Sequence, residues 1–285
     1  MRLKDRVVFI TGASRGIGKI CAVTYAKEGA HVALASKTME PHPKLPGTLL
    51  ETAAEIEALG QKALPIQLDV RDAEACETAI DKTIETFGQI DIMVHNAGAL
   101  WWAEVKDTPV RKYDLIMNIN VRAGFILSHK VLPHMLERNY GHILMMSPPV
   151  DTSVMRNHGA YGVSKFGMSM IAQAIAEECE DSGVTAHALW PATAVETAAT
   201  INFGLGNAAM WHNIIGSGSA TNTDGEPIGV HGSKKISVCA WIRPDEAPDS
   251  VNAAIIHFGS LDFELSVGKS GVSDHLLKLY TLRSG

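Results

Sequence analysis

Short apolar runs alternate regularly with longer amphipathic segments over roughly the first two thirds of the chain. The apolar runs predict β-strands at Arg6–Thr11, His31–Ser36, Ala63–Val70, Ile90–His95, His142–Ser147 and Val184–Trp190. Helical spacing between them predicts helices at Ser14–Lys27, Leu49–Leu59, Cys76–Phe87, from the 110s to about Glu137, and at about 158–182. This alternation predicts parallel strands joined by right-handed crossovers, with helices covering both faces. We therefore predict an α/β fold built on a doubly wound parallel sheet.

Composition excludes several other classes of protein. Apolar residues make up 46% and charged residues 20% of the 285 residues, which excludes a disordered or collagen-like chain. The net charge of −6 gives no basic surface for nucleic acid, and no apolar run is long enough to span a membrane. The histidines and the four scattered cysteines show no metal-ligand spacing, so we expect no metal site. Neither a signal peptide nor a C-terminal SKL-type signal is recognisable, so we expect a cytoplasmic protein.

A glycine-rich turn, TGASRGIG, stands between the first predicted strand and the first predicted helix. Glycine allows a tight turn and lets a pyrophosphate approach the backbone, and the helix N-terminus then offers N–H groups to the phosphate. A plain tight turn is the alternative, but the position after the first strand favours a nucleotide site. The residues of this predicted cofactor-binding turn are Gly12, Ser14, Arg15, Gly16, Ile17 and Gly18.

The second strand predicts which dinucleotide binds. An NAD site usually has an acidic residue there to hold the ribose hydroxyls, but this strand ends in Ala35, Ser36 and Lys37. Arg15, Ser36 and Lys37 could instead hold a 2′-phosphate by charge-assisted hydrogen bonds. We predict that NADP(H) is preferred and that NAD(H) is possible. The alternative is that Lys37 is a solvated loop charge.

Four polar residues form a candidate catalytic set. Tyr161 and Lys165 lie four residues apart on a predicted helix, so they share a face, and the ammonium should lower the pKa of the phenol. Ser147 follows the fifth strand, where its hydroxyl could bind a substrate oxygen. Asn120 lies inside a predicted helix, where asparagine is mildly unfavourable, which suggests a specific role such as holding a water in line with Lys165. A surface Tyr–Lys pair is the alternative for an isolated YxxxK.

The motifs TGASRGIG, LDV at 68–70, HNAG at 95–98, Asn120, Ser147 and YGVSK at 161–165 together resemble the short-chain dehydrogenase/reductase family. The resemblance covers residues 1 to about 200 and implies a Rossmann-type domain that transfers a hydride to or from nicotinamide. It implies that Tyr161 is the general acid/base, that Lys165 holds the nicotinamide ribose, that Ser147 orients the substrate oxygen and that Asn120 supports the proton relay. His95 replaces an asparagine of the family's NNAG motif, and we expect it to affect strand packing more than chemistry.

The same resemblance implies further cofactor contacts. Asp69 and Val70 would flank the adenine. The other implied residues of the cofactor cleft are Asn96, Ala97, Gly98, Pro191, Val195 and Thr197. The resemblance also suggests a homodimer or homotetramer formed through the two long helices.

The expected substrate is apolar. Segments at 37–48, 147–149 and 189–193 resemble a branch of the family linked to lipid-, steroid- or terpenoid-like alcohols and carbonyls. Some members of that branch carry a C-terminal sterol-carrier domain, which we do not expect here from the length of the sequence. Trp101 and Trp102 follow the HNAG motif and could form an apolar wall for such a substrate, or one of them could pack beneath the lid.

The pattern changes after about residue 204. Residues 212–240 are rich in Gly, Ser, Thr and Asn and predict a loop, whereas helical spacing resumes near Pro244. Family members run almost directly from the equivalent of Trp211 to Arg243, so this loop is either an insertion in the substrate lid or an unspliced segment. The lack of an apolar face favours the second interpretation. We expect one domain over residues 1–285, and the rival to an enzyme is a catalytically silent nucleotide-binding or scaffold protein of the same fold.

Overall fold

The structure is a computed structural model that describes residues 1–41, 46–147 and 155–189, together with the backbone of four short strands between 238 and 267. The chain divides into two compact units, Met1–Ile214 and Ile215–Gly285. That the whole chain forms one domain stays a prediction.

The first unit is built on a six-stranded sheet in which all strand pairs are parallel. Its strands are β1 (Val7–Thr11), β2 (His31–Ser36), β3 (Ala63–Gln67), β4 (Ile92–His95), β5 (Gly141–Met146) and β6 (Val184–Leu189). The strand order is β3-β2-β1-β4-β5-β6, so the connection reverses direction between β1 and β4. Ligands of such sheets bind beyond the carboxyl ends of the strands near this reversal.

Helices connect these strands. They are α1 (Gly16–Lys27), α2 (Leu49–Ala58), α3 (Ala73–Phe87), α4 (Val110–Ile116), α5 (Ala123–Glu137) and α6 (Gly159–Glu178). A short 3₁₀ helix covers Val105–Asp107, and a π-helical segment, Met117–Arg122, joins α4 to α5 without a break. Helices α1 and α2 pack together, and α3 and α5 form a second contacting pair. The predicted α/β fold is confirmed, and the long helix from the 110s to Glu137 is present with a π-helical middle.

Local sequence explains where several elements begin and end. Thr48 accepts from Glu51 N while the Glu51 carboxylate accepts from Thr48 N, so this capping box starts α2. Asp72 caps α3 by accepting from Ala75 N, and Gly88 ends α3 in the left-handed conformation at φ +83°. The central strands β1, β4 and β5 are buried along their whole length, because helices cover both sides of the sheet.

The second unit contains two small antiparallel pairs, each described by its backbone alone. β7 (Val238–Ala240) pairs with β9 (Ala254–Ile256), and β8 (Val251–Asn252) pairs with β10 (Ser266–Val267). The predicted helix beyond Pro244 is therefore wrong at 251–252 and 254–256, where the β-branched Val251, Ile255 and Ile256 favour extended backbone. The predicted loop at 212–240 ends in strand β7, and the rest of it lies outside the described residues.

Within the described residues, no helix is long and apolar enough to cross a membrane.

Candidate active site

The glycine-rich turn adopts a conformation that needs glycine. Gly12 has φ +71° and Gly16 has φ +55°, in the left-handed region that other residues rarely adopt. A Cβ on Gly12 would lie 2.8 Å from Asn96 Nδ2, and a Cβ on Gly18 would overlap the Gly12 carbonyl oxygen. The turn is therefore packed too closely for any side chain at Gly12 or Gly18.

Thr11 and Asn96 hold this turn against the end of β4. Asn96 Nδ2 donates to the carbonyl oxygens of Thr11 at 3.0 Å and Gly12 at 3.2 Å. Thr11 Oγ1 accepts from Asn96 N at 3.1 Å and from Ala97 N at 3.0 Å. Asn96 and Ala97 thus lie directly beside the glycine turn, as a shared cofactor cleft requires.

The N-terminus of α1 is suited to an anion. No side chain of the described residues caps it, so its first-turn N–H groups are available to a ligand phosphate. Arg15, at the N-cap, donates from Nη2 to Gly47 O at 3.0 Å. Its Nε is buried without a hydrogen-bond partner in the described part of the chain, and burial lowers the pKa of this guanidinium. The cradle and the unpaired donor both fit the phosphate groups of a dinucleotide.

Lys37 is paired with a carboxylate across the end of the sheet. Its Nζ lies 3.3 Å from Asp69 Oδ2, and Arg71 Nε donates to both oxygens of Asp69 at 2.9 and 3.0 Å. The hydrogen bond from Arg71 is the main reason that the pKa of Asp69 lies well below its usual range. Ser36 Oγ accepts from Thr38 N at 3.1 Å, which leaves its hydroxyl hydrogen to donate. Lys37 is thus ion-paired, with 63% of its side chain exposed.

The start of α2 brings Arg15 and the end of β2 into one neighbourhood. Arg15 bonds to Gly47 O, while Leu49 N donates to Thr38 O at 3.0 Å, one residue beyond Lys37. Thr52 Oγ1 donates to Ala13 O at 3.1 Å and ties the same segment to the glycine turn. Two of the remaining predicted cofactor residues are also buried here: Ser14 in the turn and Val70 after β3.

Asn120 is fully buried in the π-helical segment. Its Oδ1 accepts from Ala99 N at 2.8 Å, and its Nδ2 donates to Ala99 O at 3.0 Å and to Ser164 Oγ at 2.9 Å. Ser164 in turn donates to Tyr161 O at 2.7 Å. Asn120 therefore links the segment after Gly98 to the helix turn that carries Tyr161.

Lys165 lies at the centre of the candidate site. Its buried ammonium donates to Met146 O at 2.7 Å and lies 5.7 Å from the centroid of the Tyr161 ring. A Cβ on Gly98 would lie 3.7 Å from Lys165 Nζ and 3.6 Å from Asn120 Oδ1. Because Gly98 has no side chain, the Lys165 ammonium and the Asn120 amide both lie close to bare backbone at this position.

Burial dominates the titration of this pair. It lowers the pKa of Lys165 to about 8 and raises the pKa of Tyr161 to about 12. The expected lowering of the Tyr161 pKa by the ammonium is therefore wrong, because burial raises this pKa instead. The ammonium faces the Met146 carbonyl, and the cost of ionising a buried phenol exceeds the attraction across the ring.

Ser147 follows β5, but its hydroxyl is turned into α6. Its Oγ donates to Lys165 O at 2.8 Å and lies 3.0 Å from Ser169 Oγ, and the residue is fully buried. The structure thus brings Ser147 to the expected strand end, beside the backbone of Lys165. To bind a substrate oxygen, its side chain would have to rotate.

The two tryptophans follow Ala99 closely in the chain. Lys112 Nζ lies 4.5 Å from the Trp101 ring centroid, and the Trp102 ring packs 4.9 Å from His158. Both residues are partly exposed, and their indole Nε1 atoms are buried without a partner among the described residues.

Some residues were missed or fall outside the structure. Thr11, His95 and Ser164 each join two parts of the site, although only their positions inside the TGASRGIG, HNAG and YGVSK motifs signalled it. Pro191, Val195 and Thr197 lie outside the described residues, so their predicted cofactor contacts stay predictions. In the part of the chain that the structure describes, no cluster of His, Cys, Asp and Glu could hold a metal ion.

The fold is a parallel α/β sheet of the Rossmann type, and comparison with known families agrees. The family model for short chain dehydrogenases matches residues 6–205, so the chain belongs to the short-chain dehydrogenase/reductase family. It is similar to hydroxysteroid dehydrogenase-like protein 2 of Danio rerio, with 47% identity over 200 residues, and of Homo sapiens, with 46%. The match covers 70% of this chain and 48% of each relative, so the chain spans about half the length of these curated relatives.

Solved structures show the same fold. A short chain dehydrogenase from Mycobacterium thermoresistibile is 41% identical with a TM-score of 0.66, covering 76% of this chain and 74% of that one. Carveol dehydrogenase from Mycobacterium avium, in complex with NAD, is 28% identical with a TM-score of 0.64, covering 70% and 74%. A metagenomic short-chain oxidoreductase in complex with NADP is 26% identical with a TM-score of 0.63, covering 70% and 88%.

Proposed function

We propose that the protein is an NADP(H)-dependent oxidoreductase that transfers a hydride between nicotinamide and an alcohol or carbonyl of an apolar substrate. The observation that carries this proposal is the buried Lys165 ammonium, 5.7 Å from the Tyr161 ring centroid and beside Gly98 and Asn120. A buried cation next to a phenol is costly to maintain, and acid–base chemistry is the use that its position supports. The glycine turn lies at the same edge of the sheet.

Tyr161 is the proton donor in this proposal. Like any phenol it carries its proton at neutral pH, which is the form needed to protonate a developing alkoxide, and burial raises its pKa to about 12. When bound, the nicotinamide supplies the hydride that reduces the carbonyl carbon. The proton moves from Tyr161 Oη to the carbonyl oxygen, and the Lys165 ammonium stabilises the phenolate that remains. The reverse transfer serves alcohol oxidation.

Ser147 and Asn120 act on either side of this proton transfer. Ser147 needs only to rotate from its hydrogen bond to Lys165 O for its hydroxyl to donate to a substrate oxygen. Asn120 fixes Ala99 and Ser164, and so holds the cleft wall and the turn of α6 beneath Tyr161.

The preference for NADP(H) rests on Arg15, Ser36 and Lys37. Arg15 Nε is buried without a partner among the described residues, Ser36 has a hydroxyl hydrogen to donate, and Lys37 lies at the strand end where an NAD site would have an acid. Relatives of this fold bind either dinucleotide: the carveol dehydrogenase structure holds NAD and the metagenomic oxidoreductase holds NADP. The local positive charge is what favours NADP here.

An apolar substrate is proposed from the cleft wall. Trp101 and Trp102 follow Ala99, whose backbone is held by two hydrogen bonds to the Asn120 amide. These bonds support a rigid aromatic surface next to the reacting groups. The names of the relatives, hydroxysteroid dehydrogenase-like and carveol dehydrogenase, are in keeping with steroid- or terpenoid-like compounds.

We also propose a homodimer or homotetramer. Phe125 on α5 and Val163, Phe166 and Met170 on α6 are apolar side chains with 44–59% exposure, which a second copy could cover. Light scattering on Phe166→Glu against the wild type tests this directly, since a charge within such an interface should favour the monomer.

The proposed activity is tested in two stages. Thermal unfolding is measured first with NADPH and with NADH, and NADPH oxidation is then followed with a panel of steroid and terpenoid ketones. Tyr161→Phe should lower turnover about 10²- to 10⁴-fold while NADPH still stabilises the protein. Tyr113→Phe, an exposed tyrosine on α4, is the matched control and should behave as wild type. Unchanged turnover in Tyr161→Phe would refute the assigned role.

The second candidate is a catalytically silent nucleotide-binding protein. The observation that favours it is the hydrogen bond that the Ser147 hydroxyl donates to Lys165 O in α6. Stabilisation by NADPH without turnover of any carbonyl in the panel would favour this candidate, whereas turnover that depends on Tyr161 excludes it.

A further inference from the structure

His95, the last residue of β4, is a fully buried histidine between the nucleotide turn and the helix that carries Asn120. Its Nδ1 lies 3.1 Å from Thr11 Oγ1. Its Nε2 lies 3.0 Å from Ile119 O and 3.1 Å from Asn120 O. One imidazole therefore joins the end of β1 to the backbone of the catalytic asparagine.

The surrounding hydrogen bonds determine its tautomer. Thr11 Oγ1 already accepts from Asn96 N and Ala97 N, so both of its lone pairs are used and its hydrogen must go to His95 Nδ1. The two carbonyl oxygens beside Nε2 can only accept, so Nε2 carries the ring proton. His95 is thus the neutral Nε2–H tautomer, and burial followed by repulsion from Lys165 lowers its pKa to about 4.

The Nε2–H group of His95 donates to backbone carbonyls of the π-helical segment Met117–Arg122. A π-helical segment departs from the regular i→i+4 hydrogen-bond pattern, and a backbone carbonyl buried there still needs a hydrogen-bond donor. His95 supplies that donor to Ile119 and Asn120. Return to regular α-helix would change the helical phase of Asn120 by about 100°, the rotation of one residue.

The neighbouring helix is shaped for this ring. A Cβ on Gly124, at the start of α5, would lie only 3.1 Å from His95 Cδ2. Met145 pairs with His95 in the adjacent strand β5, and its Sδ would lie 3.3 Å from the same Cβ. The ring therefore has little room to turn away from its two carbonyl partners.

We propose that His95 is a positioning residue: its Nε2–H bond stabilises the π-helical segment in the register that turns the Asn120 amide towards Ala99 and Ser164. Through Nδ1 it connects that register to Thr11 and so to the nucleotide turn. The kinetic part of this inference rests on the proposed oxidoreductase function, whereas the structural part does not.

Two substitutions of His95 distinguish the role of its Nδ1 atom from that of its Nε2–H group. In His95→Asn, Oδ1 can replace Nδ1 beside Thr11, but the side chain is too short to reach the carbonyls of Ile119 and Asn120. In His95→Gln, the amide Nε2–H can still reach them. His142→Asn is the matched control, because His142 is a buried histidine near the amino end of the neighbouring strand β5, in contact with Thr185.

The experiment measures amide hydrogen exchange over 117–122 and steady-state NADPH oxidation with the best ketone of the panel. His95→Asn should raise exchange in this segment about tenfold or more, since a buried hydrogen bond is lost. It should lower kcat about 10- to 100-fold, with the Kd for NADPH unchanged. His95→Gln should restore most of both, and His142→Asn should change neither.

Wild-type exchange and kcat in His95→Asn would overturn the proposal, as would His95→Gln behaving like His95→Asn. If no ketone is turned over even by the wild type, the exchange data alone decide the role of His95, so the failure of the proposed function remains distinguishable. If His95→Asn does not fold, the comparison of His95→Gln with wild type decides: weak protection of 117–122 in that variant would overturn the proposal.

Discussion

The side-chain amide of Asn120 pairs with the backbone of Ala99 as a neighbouring strand residue would. Its Oδ1 accepts from Ala99 N at 2.8 Å and its Nδ2 donates to Ala99 O at 3.0 Å. An asparagine inside a helix thus holds the chain that leaves β4 and leads to the two tryptophans. This is a direct mechanical connection between the proposed proton relay and the proposed substrate wall.

Replacing Asn120 should therefore affect stability and activity together. Asn120→Ala removes the side-chain partner of the half-buried N–H and C=O of Ala99, which should lower the free energy of unfolding by about 1–3 kcal/mol. We expect turnover to fall as well, with faster hydrogen exchange at 99–102. Asn118→Ala, two residues away in the same segment, is the control and should retain activity. A fully active, equally stable Asn120→Ala would contradict the role of this pairing.

His95 should make the protein sensitive to mild acid. Its pKa falls from 6.5 to about 4 in the folded state, so below pH 6.5 the unfolded chain binds a proton that the folded chain does not. Stability should therefore be lost as the pH falls from 6.5 to 4, by on the order of 3 kcal/mol. Urea unfolding at several pH values should show a smaller loss in His95→Gln. Equal pH dependence in the two proteins would show that other groups govern this range.

The fold was largely predictable because it depends on local patterns. Apolar runs, capping residues such as Thr48 and Asp72, and Gly88 mark the ends of elements within a few residues of where the structure has them. The spacing of Tyr161 and Lys165 likewise predicts that one helix carries both, and α6 does so. Patterns of this kind failed beyond Pro244, where short strands replace the expected helix.

The parts of the site that were not predictable depend on contacts between distant residues. The ion pair between Lys37 and Asp69 joins residues that follow the neighbouring strands β2 and β3. The hydrogen bond from His95 to the Asn120 backbone connects a strand to a helix. Spacing shows that Tyr161 and Lys165 are close, but not that burial outweighs their attraction. The rotamer of Ser147 is equally invisible in sequence, because it depends on which partner in α6 lies nearest.

Substitution of Asp91, which immediately precedes β4, should strongly lower the free energy of unfolding. Asp91 is fully buried and accepts from Arg138 at 2.8 Å, Val7 N at 2.8 Å, Gln89 at 2.7 Å and Arg6 at 3.4 Å. Asp91→Ala would leave these donors facing a buried space. We expect a loss of about 3 kcal/mol or more in the free energy of unfolding, measured by urea denaturation.

The control for Asp91 is an exposed ion pair. Lys19 and Glu55 lie 2.7 Å apart between α1 and α2, with half of the Glu55 side chain exposed. Glu55→Ala should change the unfolding midpoint little, because water and salt screen such pairs. Comparable losses in Glu55→Ala and Asp91→Ala would show that burial of the Asp91 cluster does not govern its contribution.

Substitution of Lys37 tests the proposed preference for NADP(H) over NAD(H). In Lys37→Ala the 2′-phosphate loses a cation and meets the Asp69 carboxylate that Lys37 normally faces at 3.3 Å. The Kd for NADPH should therefore rise about tenfold or more, whereas the Kd for NADH should not change, because NADH has no phosphate there. Lys62→Ala removes the same charge from an exposed lysine just before β3, at the opposite edge of the sheet, and should affect neither dinucleotide. Isothermal titration of the wild type and both variants with each cofactor measures the six dissociation constants. If Lys37→Ala weakened the binding of NADPH and of NADH equally, the proposed contact between Lys37 and the 2′-phosphate would be refuted. The preference for NADP(H) would then rest on Arg15 and Ser36 alone.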